Sequence, residues 1–280
     1  MMKVKIWGCR GSLPAPGPEN NFYGGNTSCV QVSDGETCLV LDAGSGIQRL
    51  GRFLDQDVRQ IHIFLSHLHI DHTMGLGFFL PLYNPNVEVH LWGPSTSDTP
   101  LLQRLRKYFS PPLFPVRLGD LPNHPIIHEL SDDQIQIGSF TIHSEFVCHP
   151  GPTLGFRISH GDTVLAYIPD HEVRLGSNDF PNDPEWTSGY EIAKKADLLL
   201  HDGAYTIAEY EEKAGWGHSA VQDTIEFASM CKVKHLGIFH HEPNNTDSRL
   251  DEILAERLAG KELDFSVEMC REGAEYIFGT

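Results

Sequence analysis

Short apolar runs rich in β-branched residues recur along the chain, and helical periodicity appears between them. The runs are bounded by Gly, Pro, Asp or Asn, as strands usually are; they include VKIWG, CLVLDAG, IHIFLSH, VEVHLWG, FTIHSEFV, LGFRIS, TVLAYIPD, ADLLLHD and HLGIFHH. Apolar positions three and four residues apart predict helices at IQRLGRFL, TPLLQRLRKYF, YEIAKKA, AVQDTIEFASM and SRLDEILAERLAG. Strands dominate each half and helices occur singly, so we predict an α/β fold of two packed sheets with helices outside.

The chain shows no sign of division into several units. No linker or low-complexity segment interrupts the sequence, so residues 1–280 are predicted to form a single domain. No apolar run is long enough for a membrane span, and the first residues, MMKVKIWGCRG, lack the apolar core of a signal peptide. The six cysteines are scattered without a CxxC pair, as in proteins of a reducing compartment. We therefore expect a cytoplasmic protein without a membrane partner.

The net charge restricts the partners further. The 21 Lys and Arg residues are opposed by 38 Asp and Glu residues, which gives a formal net charge of −17 at pH 7. Proteins that hold long nucleic acids usually present a basic surface to the phosphates, and the one basic cluster here is the short RLRKYF at 104–109. We therefore expect a small substrate and no long nucleic-acid partner.

Five predicted strands end in a side chain that can bind a metal or carry a proton. They are the strands that end at His67, His149, Asp170, Asp202 and His240. A side chain at the end of a strand lies at the rim of a sheet, where loops converge on a cleft. One such ending is common, whereas five in one chain indicate a functional site.

The sequence HLHIDH at 67–72 has the composition of a metal site. His67 and His69 are two residues apart in an extended segment, so both project to the same side and can bind one ion. Asp71 and His72 follow after the chain turns and can bind a second ion nearby. Imidazole and carboxylate are common ligands of zinc, and later strand ends supply further donors of these types. They are His149, Asp170 and His240.

The order SHLHIDH, VCHPG, AYIPD and IFHHEP resembles the metallo-β-lactamase superfamily, and within it the branch that contains ribonuclease Z and the cyclic-phosphate phosphodiesterases. The resemblance covers nearly the whole chain, including GGNTSCVQV, LVLDAGSGI and GWGHSAVQD. It implies a four-layer αβ/βα sandwich, in which two mixed β-sheets are flanked by helices. It also implies a hydrolase with two metal ions.

The resemblance assigns the metal ligands as well. It places His67, His69 and His149 on one ion, Asp71, His72 and His240 on the other, and Asp170 between the two, with His241 as the alternative to His240. Two divalent transition-metal ions are expected, Zn²⁺ first, with Mn²⁺ or Fe²⁺ as alternatives. A water on such an ion has its pKa lowered to about 7, so a metal-bound hydroxide is the expected nucleophile. Asp71 is also expected to be catalytic.

A histidine outside the ligand set is expected to assist the leaving group. His218 in GWGHSAVQD occupies the position of a similar motif in the ribonuclease Z branch, where the histidine helps to bind phosphate and to protonate the leaving oxygen. Its partner acid in this chain is Asp202 of HDGAYT, where the branch often has Glu. A carboxylate hydrogen-bonded to His218 favours the imidazolium, which is the form that donates a proton. Both residues are expected to be catalytic, and His218 is also expected to bind substrate.

Two residues in hydroxyl-rich turns are given supporting roles. Asn26 of GGNTSC is expected to contact the substrate, a metal-bound water or Asp71. Asp42 of DAGSGI is expected to accept a hydrogen bond from a ligand histidine and thereby to orient it. Tight turns between strands are the alternative explanation for both segments.

The expected substrate is a small phosphodiester. Ribonuclease Z carries a Gly/Pro-rich arm for tRNA between the equivalents of His149 and Asp170, whereas here a short predicted hairpin joins the two residues. The missing arm and the negative charge favour a 3′,5′-cyclic nucleotide or a related cyclic phosphate. A metal-dependent lactonase or thioesterase and an RNA-processing nuclease of the ribonuclease Z type are the alternatives.

A homodimer is expected, because related phosphodiesterases are commonly dimers. The Pro-rich segment 111–125, together with Phe109 and Phe114, is expected to offer apolar surface to a second subunit or to form a lid.

Overall fold

Two seven-stranded sheets form the centre of the structure. The structure is a computed structural model, which describes residues 1–55, 57–175, 179–181 and 183–279. The first sheet contains, in spatial order, β14 (Glu275–Phe278), β1 (Met2–Gly8), β2 (Cys29–Ser33), β3 (Cys38–Leu41), β4 (Gln60–Phe64), β5 (Glu88–Pro94) and β6 (Ile126–Leu130). The second contains β13 (Ser266–Met269), β12 (His235–Phe239), β11 (Leu198–Asp202), β10 (Thr163–Ile168), β9 (Leu154–His160), β8 (Phe140–Phe146) and β7 (Asp133–Ile137).

Both sheets are mixed. In the first sheet, β14, β1, β2 and β3 are antiparallel, and β3 to β6 run parallel. In the second sheet, β7 to β10 are antiparallel, and β10 to β13 run parallel. The hairpin predicted from LGFRISHGDTVLAY is confirmed as β9 and β10, in which Thr163 pairs with His160.

Helices cover the outer face of each sheet. The α-helices of the described residues are α1 (Gly46–Phe53), α2 (Ile70–Thr73), α3 (Leu101–Tyr108), α4 (Tyr190–Ala193), α5 (Ile207–Lys213), α6 (Val221–Cys231) and α7 (Asp247–Leu258). Apolar residues of α1 and α3 pack with the outer face of the first sheet, and those of α4, α6 and α7 pack with the second. A third core lies between the sheets. The predicted four-layer αβ/βα sandwich is confirmed.

The strand pattern follows from alternation of apolar and polar side chains. In β1, Met2, Val4 and Ile6 are fully buried and face the core between the sheets, whereas Lys3 and Lys5 lie on the opposite face. The two sheets meet through large side chains such as Phe64 and Phe156, whose rings contact edge to face with centroids 5.5 Å apart. Such a ring pair adds about 0.5–1.5 kcal/mol to the stabilisation from burial.

The topology brings the ends of several strands to one edge of the sandwich. Because β10, β11 and β12 are parallel, the residues that follow them emerge at the same edge of the second sheet. The segment after β4 reaches that edge from the first sheet, since the Leu154 N–H donates to the Ser66 carbonyl oxygen at 2.9 Å. The predicted site residues therefore approach from both sheets.

The apolar residues named for the dimer surface lie in the core. Phe109 is 1% exposed and Phe114 is 7% exposed, because both pack with α1, α3 and the outer face of the first sheet. The prediction that they offer surface to a partner is wrong. Phe78, Leu80 and Leu113 in the same region are exposed instead, and the homodimer itself stays a prediction.

None of the described helices is long and apolar enough to cross a membrane. All six cysteines carry free thiols. Burial raises the pKa of Cys38 to about 11 and that of Cys148 also to about 11, so these two thiols are protonated at neutral pH.

Candidate active site

The HLHIDH segment begins extended and ends in a single helical turn. After β4 ends at Phe64, the chain bends at Ser66 and continues outside regular structure to His69, which is extended, with φ and ψ of −61° and 153°. His69 is the residue before α2, so Asp71 and His72 lie on that short helix and project in other directions than the two histidines before it. The motif therefore presents its four side chains to two neighbouring points.

The first point is surrounded by three histidines and one aspartate. Potential ligand atoms of His67, His69, His149 and Asp170 all lie within 4.8 Å of one another. His149 Nε2 is 3.2 Å from His69 Nδ1 and 3.7 Å from Asp170 Oδ2, and His67 Nε2 is also 3.7 Å from that oxygen. The structure thus brings together the residues that were predicted to bind one ion.

The second point is surrounded by Asp71, His72 and His240, again within 4.8 Å of one another. Asp71 Oδ2 is 3.3 Å from His72 Nε2 and 3.1 Å from His240 Nε2. Asp170 reaches this cluster too, since Oδ1 is 3.0 Å from His72 Nε2 and Oδ2 is 3.4 Å from His240 Nε2. The alternative residue, His241, lies apart from the cluster and its Nε2 donates to the Cys270 carbonyl oxygen at 2.8 Å.

These distances fit bound metal ions. Two ligands of one zinc ion, each bonded at about 2.0–2.1 Å, lie roughly 3.0–3.5 Å apart, which is close to the separations in both clusters. His67 Nε2 is buried and lacks a hydrogen-bond partner in the described part of the chain. A buried polar atom of this kind costs free energy unless it is paired. The imidazole and carboxylate donors therefore fit divalent metal ions.

Burial and neighbouring charges set the protonation states of the donors. Burial lowers the pKa of His67 well below its ordinary value, and the proximity of His72 adds to this effect. Burial opposes ionisation of Asp71, but His72 and His240 hold its pKa well below the usual range. Burial likewise opposes ionisation of Asp170, and the same two histidines hold its pKa low. Burial opposes protonation of His72, but Asp170, Asp71 and Asp42 raise the pKa of that ring well above its ordinary value. His72 would therefore lose a proton when a cation binds, because neutral imidazole and charged carboxylate are the forms that bind one.

A buried aspartate orients one of the histidines. Asp42 Oδ2 accepts a hydrogen bond from His72 Nδ1 at 2.7 Å, which directs Nε2 of that ring towards the second cluster. The carboxylate also accepts from the backbone N–H of Ser66 at 2.7 Å and from the Tyr167 hydroxyl at 2.8 Å. The predicted contact of Asp42 with a histidine of the motif is present, and the role of His72 as a metal ligand stays a prediction.

The contact predicted between Asn26 and Asp71 is wrong. Asp71 Oδ2 accepts from the backbone N–H of Ser12 at 2.8 Å. The Asn26 amide donates instead to Glu272 Oε2 at 3.0 Å, and its oxygen accepts from the Ser45 hydroxyl at 3.0 Å. Glu272, in the last part of the chain, accepts the hydrogen bond of the Asn26 amide, which therefore does not reach Asp71. Contact of Asn26 with a substrate stays a prediction.

The expected pair of His218 and Asp202 is present beside the clusters. His218 Nδ1 donates to Asp202 Oδ2 at 2.7 Å and lies 3.9 Å from Asp170 Oδ2. The His218 ring stacks on His240 with centroids 4.8 Å apart. Asp202 is held in turn by the Ala204 N–H, which donates to Oδ1 at 3.0 Å. The aspartate is therefore long enough to replace the glutamate of the resembling branch.

The charge of His218 depends on its aspartate partners. Burial lowers the pKa of His218, but the charge of Asp202 and the hydrogen bond to it outweigh burial and raise the pKa to about 9. A cation held by Asp170 would oppose this rise. His218, Asp170 and His240 also form a third group of donors within 4.8 Å. A ligand role for His218 is therefore the alternative to a proton-donating role.

Three groups near the candidate site were not predicted from the sequence. The Ser12 N–H that binds Asp71 is a backbone group, so no side-chain pattern marks it. The Tyr167 hydroxyl reaches Asp42 across the core from a strand that looks wholly apolar. Glu172 is a buried carboxylate 2% exposed. Its place two residues after Asp170, in the sequence PDHE, was the available signal.

The sequence and the fold define the class of protein. The family described as "Beta-lactamase superfamily domain" matches residues 37–241, which is more than half of the chain. The chain therefore belongs to the beta-lactamase superfamily. The resemblance and the enzyme class expected from the sequence, a metal-dependent hydrolase, are both confirmed.

Individual relatives agree at lower identity. Ribonuclease Z of Pyrococcus furiosus is 22% identical over an alignment of 285 positions, gaps included, that covers 87% of this chain and 87% of the relative. The crystal structure of the metallo-β-lactamase fold protein YhfI from Bacillus subtilis superimposes with a TM-score of 0.72 at 18% identity, over 99% of this chain and 100% of that one. A diphosphatase from the PhnP family superimposes with a TM-score of 0.68 at 15% identity, over 98% and 96% of the two chains.

A buried histidine beside Asp202 is predicted to make stability depend on pH. His201 is fully buried; its Nδ1 donates to the Asp202 carbonyl oxygen, and burial lowers its pKa from 6.5 to about 4. Below pH 6.5 the unfolded chain binds a proton that the folded chain excludes, so the free energy of unfolding falls as pH drops towards 4. This residue contributes on the order of 3 kcal/mol to that fall.

Urea denaturation of metal-free protein at pH 7 and pH 4 measures the effect. His201→Gln keeps a polar side chain of similar size, and its free energy of unfolding should fall less over this interval than that of the wild type. Equal falls in the two proteins would contradict the prediction.

Proposed function

We propose that this protein is a two-metal phosphodiesterase that hydrolyses a small phosphodiester, a 3′,5′-cyclic nucleotide or a related cyclic phosphate. One observation carries the proposal: Asp170 belongs to one donor cluster, its oxygens also lie 3.0 Å from His72 Nε2 and 3.4 Å from His240 Nε2 of the other, and a histidine hydrogen-bonded to a carboxylate lies beside both. The proposed ligands are His67, His69, Asp71, His72, His149, Asp170 and His240. Zn²⁺ is the first choice for both ions, with Mn²⁺ or Fe²⁺ as alternatives.

The charge of the loaded site supports a phosphate substrate. Two divalent ions carry four positive charges, and Asp71 and Asp170 carry two negative ones, so the five neutral imidazoles leave a net +2. This cationic site lies in a protein with a net charge of −17. A small phosphate anion is attracted at short range, whereas a long polyanion meets repulsion outside the site. When bound, such ions activate a water nucleophile and neutralise the phosphate oxygens.

The proton of the leaving group is assigned to His218. As the phosphorus–oxygen bond of the ester breaks, the departing alkoxide takes the proton from His218 Nε2, because Nδ1 is bonded to Asp202. Asp202 stabilises the imidazolium before transfer and holds the ring in place. Asp71 is the carboxylate proposed to accept the proton of the attacking water. A carbonyl substrate such as a lactone or thioester makes less use of the His218–Asp202 pair. Lactonase or thioesterase activity is therefore the less favoured alternative.

RNA is the second candidate substrate. The similarity to ribonuclease Z favours it, so the expectation of no long nucleic-acid partner is not supported by the comparisons. Two observations argue against RNA. The net charge of the protein is negative, and the segment between His149 and Asp170 contains the hairpin of β9 and β10 where ribonuclease Z carries an arm for tRNA. The diphosphatase of the same fold supports a small phosphoryl substrate. A single domain over 1–280, a homodimer and a cytoplasmic location stay predictions.

The first test counts metal ions. We expect two ions per chain in protein purified without chelator, and Asp170→Ala should hold fewer, because both clusters lose their common ligand. Turnover of a cyclic nucleotide should fall by at least about 100-fold, since the loss of groups that only support ligands already costs 10–100-fold. Asp162→Ala, on the exposed turn of the β9–β10 hairpin, is the matched control. Fewer than two ions in the wild type, or a fully active Asp170→Ala protein, would contradict the two-metal proposal.

The second test separates the roles of His218. His218→Ala should keep both ions, and its turnover of a cyclic nucleotide should fall by roughly 10²–10⁴-fold, the usual contribution of general acid catalysis. The loss on bis(p-nitrophenyl) phosphate should be much smaller, because p-nitrophenolate leaves without a proton. Asp202→Asn should show the same difference between the two substrates, with a smaller loss of turnover.

Two outcomes would overturn this assignment. Equal losses on both substrates with full metal content would mean that His218 binds phosphate without donating a proton. Loss of an ion from His218→Ala would make His218 a ligand, as the third donor group allows.

A further inference from the structure

The loop of residues 214–220, between α5 and α6, carries His218 and is bound by a buried carboxylate. Glu172 is 2% exposed. Its Oε1 accepts a hydrogen bond from the Gly215 N–H at 2.8 Å, and its Oε2 accepts from the Gly217 N–H at 2.9 Å. Both glycines have a φ near +90°, a conformation that other residues rarely adopt. The carboxylate thus binds the backbone of the loop at two glycines.

Gly217 is held from the opposite side by a proposed metal ligand. Its carbonyl oxygen accepts a hydrogen bond from His149 Nδ1 at 2.7 Å, which leaves Nε2 of that ring for the metal. A Cβ added at Gly217 would lie 2.1 Å from Pro150 Cδ, so the backbone and the His149–Pro150 segment are in close contact. The backbone N–H of Glu172 donates to the Cys148 carbonyl oxygen at 2.8 Å. A closed ring of contacts therefore joins Glu172, Gly217 and His149.

The neighbours of Glu172 bind the residue that follows His218. The Ser219 hydroxyl donates to the His171 carbonyl oxygen and accepts from the Val173 N–H at 3.2 Å. The segment 171–173 therefore contacts the backbone before His218 and the side chain after it. This segment directly follows Asp170. A displacement of the loop would therefore alter the proposed site at His149, Asp170 and His218.

We propose that Glu172 is a positioning residue, which fixes the orientation of His149 and the place of His218 through the backbone of Gly217. This inference rests on the proposed function, since it assumes that His149 binds a metal and that His218 donates a proton. The carboxylate suits the task because each of its oxygens accepts from a different N–H group. A glutamine amide has one oxygen and one NH₂ group, so one of these N–H groups would face a donor and remain unpaired.

Hydrogen exchange in metal-free protein tests the contact with the loop. Glu172→Gln should speed amide exchange in residues 214–218 at least about tenfold, because a lost hydrogen bond allows local opening. Glu209→Gln is the matched control: its carboxylate accepts from the Thr206 N–H at 2.7 Å at the start of α5 and is not bonded to Gly215 or Gly217. The control should speed exchange at the start of α5 and leave residues 214–218 unchanged. Unchanged exchange of residues 214–218 in Glu172→Gln would overturn the inference.

Zinc titration against a competing chelator tests the consequence for His149. In Glu172→Gln the affinity for one ion should fall by roughly 10–100-fold, the usual effect of losing a partner that orients a ligand. The affinity for the other ion, bound by Asp71, His72, His240 and the shared Asp170, should change much less, because His149 is not among its ligands. An equal fall for both ions would indicate general damage to the fold and would contradict a specific positioning role.

Further outcomes separate this inference from the proposed function. A wild-type protein that binds fewer than two zinc ions would contradict the proposed function. A wild-type protein with two ions, and a Glu172→Gln protein with two unchanged affinities, would contradict the inference alone. If Glu172→Gln does not fold, Glu172→Asp keeps the charge and withdraws the oxygens by one methylene group, and the same difference between the two ions is expected.

Discussion

A buried carboxylate is the group on which the site depends. Asp170 is 1% exposed at the end of β10, and its oxygens lie 3.0–3.7 Å from nitrogens of His67, His72, His149 and His240. An ionised carboxylate in the interior is stable only where positive charge or hydrogen bonds compensate it. The two cations of the proposal would provide that compensation, and Asp170 would then join the two clusters into one centre.

The sandwich is what allows these groups to meet. The HLHIDH segment follows β4 of the first sheet, whereas Asp170 and His240 follow β10 and β12 of the second. Phe64 and Phe239, the last residues of β4 and β12, are fully buried in the core between the sheets. Close packing of such side chains fixes the positions of the strand ends. The geometry of the centre is thus a consequence of the core beneath it.

Most of the proposed ligands could be identified from the sequence, because they follow or adjoin apolar runs that predict strands. The contacts between distant loops could not. Phe109 and Phe114 lie in a Pro-rich segment that resembles surface, and only the tertiary fold shows that they are buried. Asn26 is bonded by Glu272, which is 246 positions away. Glu172 looks like a surface carboxylate until the glycine-rich loop is folded against it. Local patterns identify donors, whereas their partners depend on packing.

The central claim is that seven His and Asp side chains form one centre for two ions. Anomalous X-ray diffraction at the zinc edge, on crystals of the zinc-loaded protein, tests it most directly. The account predicts two peaks, one among His67, His69 and His149 and the other among Asp71, His72 and His240, with Asp170 bonded to both ions. A single peak, or a second ion bound by His218 instead of His240, would contradict it.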